Sequence, residues 1–209
     1  MKVYTMPVGP IQANCYLLCD EEAGRCAVID AGGEAPRIIR AVERTGCTPA
    51  AILLTHGHYD HTGGVAGLRE QWPDVPVYIN RRDQHDDSRM WQLCPPLEGT
   101  NSYDEGDTLS IGALTVEVLS TPGHSGGSVT LKCGDCLFTG DTLFAGSCGR
   151  TDFPDGSTAA ILASLKRLGQ LEGDYKVYPG HMEPSTLDTE RRHNPFMRQA
   201  MAEKGYLWE

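Results

Sequence analysis

The run Thr55-His56-Gly57-His58-Tyr59-Asp60-His61 puts four metal-ligand side chains, His56, His58, Asp60 and His61, within six residues. Ahead of it stands the short apolar stretch Ala51-Ile52-Leu53-Leu54, which reads as a strand, and behind it Thr62 to Gln71 resumes a helical pattern. The cluster therefore belongs on a strand-to-helix loop. A single histidine is more often a surface residue or a hydrogen-bonded core residue, but four such side chains so close together demand a common purpose. They crowd one cation and suit two neighbouring ones, so the run implies a dinuclear site.

The same arrangement recurs along the chain. Leu114 to Leu119 alternates like a strand before Thr121-Pro122-Gly123-His124, and Ser128 to Lys132 with Leu137 to Thr139 reads as a hairpin ending at Gly140-Asp141. Lys176 to Tyr178 ends at Pro179-Gly180-His181. If these strand ends converge, His124, Asp141 and His181 complete a set of imidazole and carboxylate donors, which zinc accepts at about 2.0–2.2 Å. Glycine before each histidine permits the tight turns that aim side chains at a concave edge. His85 and His193 lack that setting and read as structural.

The remaining elements are ordinary. Val3 to Val8, Asn14 to Cys19 and Arg25 to Ile29 form an opening β-meander, and Glu34 to Arg44 carries Ile38, Ile39 and Val42 at helical spacing, with Pro36 in the first turn. Val75 to Ile79 is another strand. Thr158 to Leu168 is an amphipathic helix with Ile161, Leu162, Leu165 and Leu168 on one stripe. The 209 residues, with 40% hydrophobic and 22% charged side chains, suit a single α/β domain over 1–209.

Charge and patterning narrow the partners to a small molecule. A formal net charge of −10 repels a phosphate backbone. No stretch reaches the roughly 18 apolar residues of a membrane helix, and the N-terminus has no apolar segment of the secretory kind. The expectation is a cytoplasmic protein, which disfavours an antibiotic-hydrolysing enzyme working outside the cell. The eight cysteines read as reduced core thiols, with Cys15 and Cys19 on one strand face. Cys133-Gly134-Asp135-Cys136 reads as hairpin ends, with a redox pair as the alternative.

The His-x-His-x-Asp-His run, followed by Thr-Pro-Gly-His124, Phe-Thr-Gly-Asp141 and Tyr-Pro-Gly-His181, closely resembles the metallo-β-lactamase superfamily. That resemblance spans nearly the whole chain and implies a four-layer αββα sandwich with its site at the edge between two sheets. Gly140-Asp-Thr-Leu-Phe-Ala-Gly-Ser-Cys-Gly-Arg-Thr-Asp-Phe153, with Arg191-Arg-His-Asn-Pro-Phe196, looks like the small glyoxalase II-like (hydroxyacylglutathione hydrolase-like) enzymes. By resemblance, His56, His58 and His124 hold a first metal, Asp60, His61 and His181 a second, and Asp141 bridges both. The cofactors expected are two divalent cations, zinc first, with iron or manganese as alternatives.

The function this implies is hydrolysis of an anionic thioester by a metal-bridging hydroxide, with Asp60 and Asp141 in the catalytic shell. Two divalent cations against two carboxylates and a hydroxide leave about one positive charge to meet a developing oxyanion. Arg150 matches a basic residue that contacts the glutathione portion in glyoxalase II, whereas Thr151 and Asp152 stand where that family has aromatic residues. The alternative for Arg150 is a loop-bracing ion pair with Asp152 or Asp155. A rival resemblance is to persulfide dioxygenases, which share the histidine run and a Gly-Arg-Thr-Asp-Phe loop and use one iron at the position of His56, His124 and Asp141. A third class, a non-catalytic metal-binding protein on the same fold, would be expected to have lost an inner ligand, and none is missing here.

Overall fold

The computed structural model describes residues 1–84 and 92–202. The first half builds one six-stranded sheet in the order β1 (Lys2–Val8), β2 (Ala13–Asp20), β3 (Arg25–Ile29), β4 (Thr48–Leu53), β5 (Val77–Ile79), β6 (Asn101–Ser102). In the second half, β7 (Thr108–Ile111), β8 (Leu114–Ser120), β9 (Val129–Cys133) and β10 (Cys136–Gly140) run as an antiparallel meander. After the small hairpin β11 (Leu143–Phe144) and β12 (Ser147–Cys148), β13 (Lys176–Pro179) adds parallel to β10, and β14 (Ser185–Thr186) closes that edge.

Strand alternation sorts the apolar side chains into layers. From β2, Cys15, Leu17 and Cys19 point to one face, where they meet Ile38 and Val42 of α1 (Ala35–Thr45); Tyr16 and Leu18 point to the other. That second face packs on Val116, Val118, Leu131 and Phe138 of the opposing sheet. The outer face of this second sheet, with Leu137 and Val177, receives Leu165 and Leu168 of α4 (Thr158–Gly169) and Met197 of α6 (Pro195–Ala202). The result is the αββα sandwich that the resemblance implies. Each valine, leucine, isoleucine, phenylalanine or methionine among them contributes about 1.5–3 kcal/mol when fully buried.

The helix expected from Thr62 to Gln71 begins only at Val65 as α3 (Val65–Gln71), and a separate helical turn, α2 (Tyr59–Thr62), carries Asp60 and His61, which the sequence places on the loop. The break lies at Gly63 and Gly64, where the Gly64 N–H donates to Ala31 O at 2.7 Å and the backbones come too close for a side chain. The strand expected from Val75 begins only at Val77, because Pro76 has no N–H to donate and offers its carbonyl to Ile52. The helices α5 (Leu187–His193) and α6 lie where the sequence was read only for its Arg191–Phe196 motif.

All eight cysteines are free thiols, and seven of them are buried. Cys15 and Cys19 share a face as expected, and Cys133 pairs with Cys136 across the β9–β10 hairpin. Among the described residues, no helix is long and apolar enough to cross a membrane.

Candidate metal centre

Four strand ends bring the ligand-type side chains to one edge of the sandwich. The chain leaves β4 through Thr55, His56 and His58 into α2, which carries Asp60 and His61. His124 follows β8, and Asp141 and His181 follow the parallel neighbours β10 and β13, whose turns are joined by a hydrogen bond from Gly180 N–H to Gly140 O of 2.8 Å. The two sheets meet here through Val129 N–H and Thr55 O at 2.9 Å.

All seven side chains named from the sequence come together. Candidate ligand atoms gather into the groups His56/His58/His124, His56/His61/Asp141 and Asp60/His61/His181, each with its atoms within 4.8 Å of one another. Asp141 touches both ends: Oδ2 lies 3.3 Å from His124 Nε2 and 3.6 Å from His181 Nε2, and Oδ1 lies 3.4 Å from His61 Nε2. His58 Nδ1 and His124 Nε2 face each other at 2.8 Å. His193 is exposed on α5, away from the cluster, and His85 lies outside the described residues.

The donor set fits cations on the evidence of its own hydrogen bonding. His56 Nε2, His58 Nε2, His61 Nε2 and Asp141 Oδ1 are buried without a hydrogen-bond partner. A buried polar atom left unpaired costs about 1–3 kcal/mol, so several in one place mark a site shaped for something other than protein atoms. His61 shows this most directly. Its Nδ1 is 2.9 Å from the Asp30 carboxylate, which can only accept, so Nδ1 carries a proton. Burial disfavours a charge on this ring, but the Asp141 and Asp30 carboxylates outweigh it and raise His61 well above its usual pKa, so positive charge is drawn to Nε2, 3.4 Å from both Asp60 and Asp141, at the point where a cation would sit.

Electrostatics favour the same conclusion. Burial, reinforced by the other imidazoles, pushes His56 well below its usual pKa and lowers His58 to about 4, so both are neutral and able to ligate near neutral pH. Burial pushes the Asp60 carboxyl upward, but the hydrogen bond from His181 and the neighbouring His61 imidazole outweigh it and hold the group well below the ordinary range. Asp141 is likewise lowered against its burial by the surrounding histidines, His61 foremost.

A second layer of contacts, which residue spacing does not reveal, orients the first. His124 Nδ1 donates to the Arg150 carbonyl at 2.8 Å, leaving Nε2 for the centre. Asp30 accepts from Thr55 N–H at 2.8 Å and Thr55 Oγ1 at 2.7 Å as well as from His61. Asp83 accepts from Gly57 N–H, Gly127 N–H and Ser125 Oγ at 2.6 to 2.8 Å, tying the histidine run to the loop after His124. Asn194 Nδ2 donates to the carbonyls of Phe144 and Ser147, so the Arg191–Phe196 motif acts as a brace for the loop after Asp141. Asp30 had a readable signal: it directly follows β3, the parallel neighbour of the strand that delivers the histidine run.

Glycine at position 180 is required by space. A Cβ there would sit 2.1 Å from Asp141 Oδ1 and 2.7 Å from His61 Cε1, inside the ligand cluster.

The cluster opens into a cleft of about 480 Å³. Phe153 stands edge-on to His58 and His124, with ring centroids 4.9 and 5.5 Å away, and Phe144 stands 6.1 Å from His181. Arg150 lines the cleft, with its guanidinium 4.6 Å over Phe153. Of its expected ion pairs, the one with Asp152 is present: Nε and Nη2 grip the two oxygens of Asp152 at 2.6 Å. That pair is solvent-exposed.

Residues 8–181 match the metallo-beta-lactamase superfamily. A probable metallo-hydrolase, YqgX of Bacillus subtilis, is 39% identical over 94% of this chain and 98% of its own length. The hydroxyacylglutathione hydrolase GloC of Haemophilus influenzae is 32% identical over the same shares. Among solved structures, the B3 metallo-beta-lactamase BLEG-1 aligns with a TM-score of 0.85 at 34% identity, covering 94% of this chain and 99% of that one. The di-iron-bound form of TTHA1623 gives 0.79 at 39% identity over 92% and 99%. ETHE1 from Myxococcus xanthus gives 0.81 at 28% over 96% and 88%. With the sandwich, the edge site and its ligand order all in place and the match running through nearly every element that builds them, the chain belongs to the metallo-beta-lactamase superfamily.

Proposed function

We propose that the protein is a dinuclear thioester hydrolase whose substrate carries an anionic thiol portion, of the hydroxyacylglutathione type. In this reading His56, His58 and His124 hold one divalent cation, Asp60, His61 and His181 hold the other, and Asp141 bridges them. Zinc suits the imidazole and carboxylate donors, and iron is the first alternative because a 39% identical protein binds two irons. The observation that carries the reading is that both ligand groups are complete and are joined by one carboxylate. The choice of a thioester draws support from the likeness to the Haemophilus influenzae hydroxyacylglutathione hydrolase.

When bound, such cations supply hydroxide at neutral pH, by lowering the pKa of coordinated water from about 15.7 to about 7, and polarise a carbonyl. The chain's residues do the rest. Asp60 and Asp141 stay ionised and hold the charge of the centre close to what a developing oxyanion needs. Asp30 and the Arg150 carbonyl keep the protons of His61 and His124 on Nδ1. Arg150 meets the carboxylate of the thiol portion, exchanging its exposed partner Asp152 for substrate. The leaving group needs no proton from the chain, since a thiol with a pKa of about 8.5 departs as thiolate.

A second reading, an oxidoreductase with one iron on His56, His124 and Asp141, draws support from the likeness to ETHE1 from Myxococcus xanthus. Elemental analysis of the purified protein, run beside assays of hydroxyacylglutathione hydrolysis and of oxygen uptake with a persulfide, separates the two. Two metals and hydrolysis without oxygen uptake are expected. One iron with oxygen consumed would replace the hydrolase by the oxidoreductase.

A further inference from the structure

Among the described residues, six large hydrophobic side chains are well exposed: Met1, Ile11, Tyr59, Met182, Phe196 and Met201. Scattered singly, exposed apolar residues need no explanation. Here Ile11, Tyr59 and Met182, which are 50%, 40% and 52% exposed, all line the cleft over the metal centre. They come from three separate segments: the β1–β2 turn, the start of α2, and the turn after His181.

Two of these segments have backbone that side chains normally avoid. Met182 has φ 70° and Gln12, beside Ile11, has φ 56°. Such positions cost on the order of 1–3 kcal/mol and persist only where the surroundings enforce them, commonly at ligand-binding sites. Both are enforced here. Asn14 Nδ2 donates to Met182 O at 2.8 Å while Asn14 N–H donates to Gly180 O at 2.7 Å, and Gln12 Nε2 donates to Gly9 O at 2.7 Å. Asn14 itself is buried, so the turn carrying Met182 is built from the inside.

The cleft is therefore two-sided. On the His124 side stand Phe153 and the cation Arg150; on the His181 side stand Met182 and Phe144, with Ile11 brought in by the β1–β2 turn just ahead of Asn14 of β2, whose N–H donates to Gly180 O. We propose that the Ile11–Tyr59–Met182 rim is an acyl-group subsite, so that the preferred thioesters carry an apolar acyl group of several carbons or an aromatic ring. This rests on the thioester reading above and refines it. The carboxylate-bearing thiol portion lies toward Arg150, and the acyl group extends past His181 along the rim.

A methylene fully withdrawn from water improves binding by up to about fourfold, and against side chains that stay half in water the gain falls to about twofold per methylene. The test uses the metal-loaded full chain with acetyl, butyryl and hexanoyl glutathione thioesters, and in parallel calorimetric Kd values for the matching S-(2-oxoalkyl)glutathione thioethers, which cannot be hydrolysed. Both kcat/KM and binding should strengthen roughly twofold per methylene. Met182→Ser and Ile11→Ser should each flatten the dependence, and Met201→Ser, outside the cleft, should leave its slope unaltered. Hydrolysis of all three thioesters without any length dependence would overturn the subsite while leaving thioester hydrolysis standing. If no thioester is hydrolysed, the reaction assigned above fails, and the thioether series still decides the rim: a length-dependent Kd sustains an apolar ligand subsite and a flat one removes it. Self-association that Met182→Ser abolishes, with a flat series, would make the rim a contact between copies of the chain and overturn the proposal.

Discussion

The Asp30 carboxylate accepts a hydrogen bond from His61 Nδ1 at 2.9 Å, with both side chains shut off from solvent. One residue thus fixes the tautomer of a ligand supplied by another element. Removing such an outer partner typically costs about 10–100-fold in metal affinity. Asp30→Asn should weaken one of two bound cations by that order, measured by competition with a chromogenic chelator, and lower activity in parallel. Unchanged affinity for both cations would mean that the contact serves packing alone.

The two ligand groups predict a divided response to removing their outermost members. His181→Ala and His124→Ala should each reduce the metal content from two per chain toward one, read by elemental analysis after dialysis, because each takes a donor from a different group. A wild-type protein fully active with a single metal at His56, His58 and His124 would reject the dinuclear assignment.

Position within the cluster should separate essential from incidental residues. Asp141→Ala removes the carboxylate that reaches both groups, and His58→Ala removes a ligand; each should lower thioester hydrolysis by roughly a hundredfold or more. His193→Ala, on the exposed face of α5, should leave kcat/KM within about twofold of wild type. Equal losses in all three variants, with circular dichroism unchanged, would show that the cluster is not where the chemistry happens.

Arg150 has two partners to choose between, Asp152 and a substrate carboxylate. If substrate binding is its role, Arg150→Ala should raise KM for an anionic thioester roughly tenfold with kcat nearly retained, and a neutral thioester should respond much less. A collapse of kcat with KM unchanged would instead assign Arg150 to bracing the loop whose carbonyl at the same residue orients His124.

Much of the fold was legible because its signals are local. The strands of the meander, the stripe Ile161, Leu162, Leu165 and Leu168, and the strand ends before His56, His124, Asp141 and His181 can all be read from spacing and turn residues. Where the reading slipped, the cause was a tertiary demand. Gly63 and Gly64 break a continuous helical pattern because the Ala31–Gly33 backbone passes against them, and Pro76 shortens its strand because a neighbour needs only its carbonyl.

By itself the sequence determined which side chains can bind metal and that they arrive on four separate turns, since ligand type and turn chemistry are properties of short segments. Tertiary structure decided that those turns meet and that Asp141 lies within reach of both ligand groups. It also decided which residues stand behind them. Asp83 and Asn14 carry no local mark, and the strand end and motif that hold Asp30 and Asn194 do not reveal their partners, because each acts across a long stretch of chain: Asn14 on Met182, Asp30 on His61, Asp83 on Gly127, Asn194 on Phe144. A hydrogen bond of that reach exists only once packing has joined its two ends.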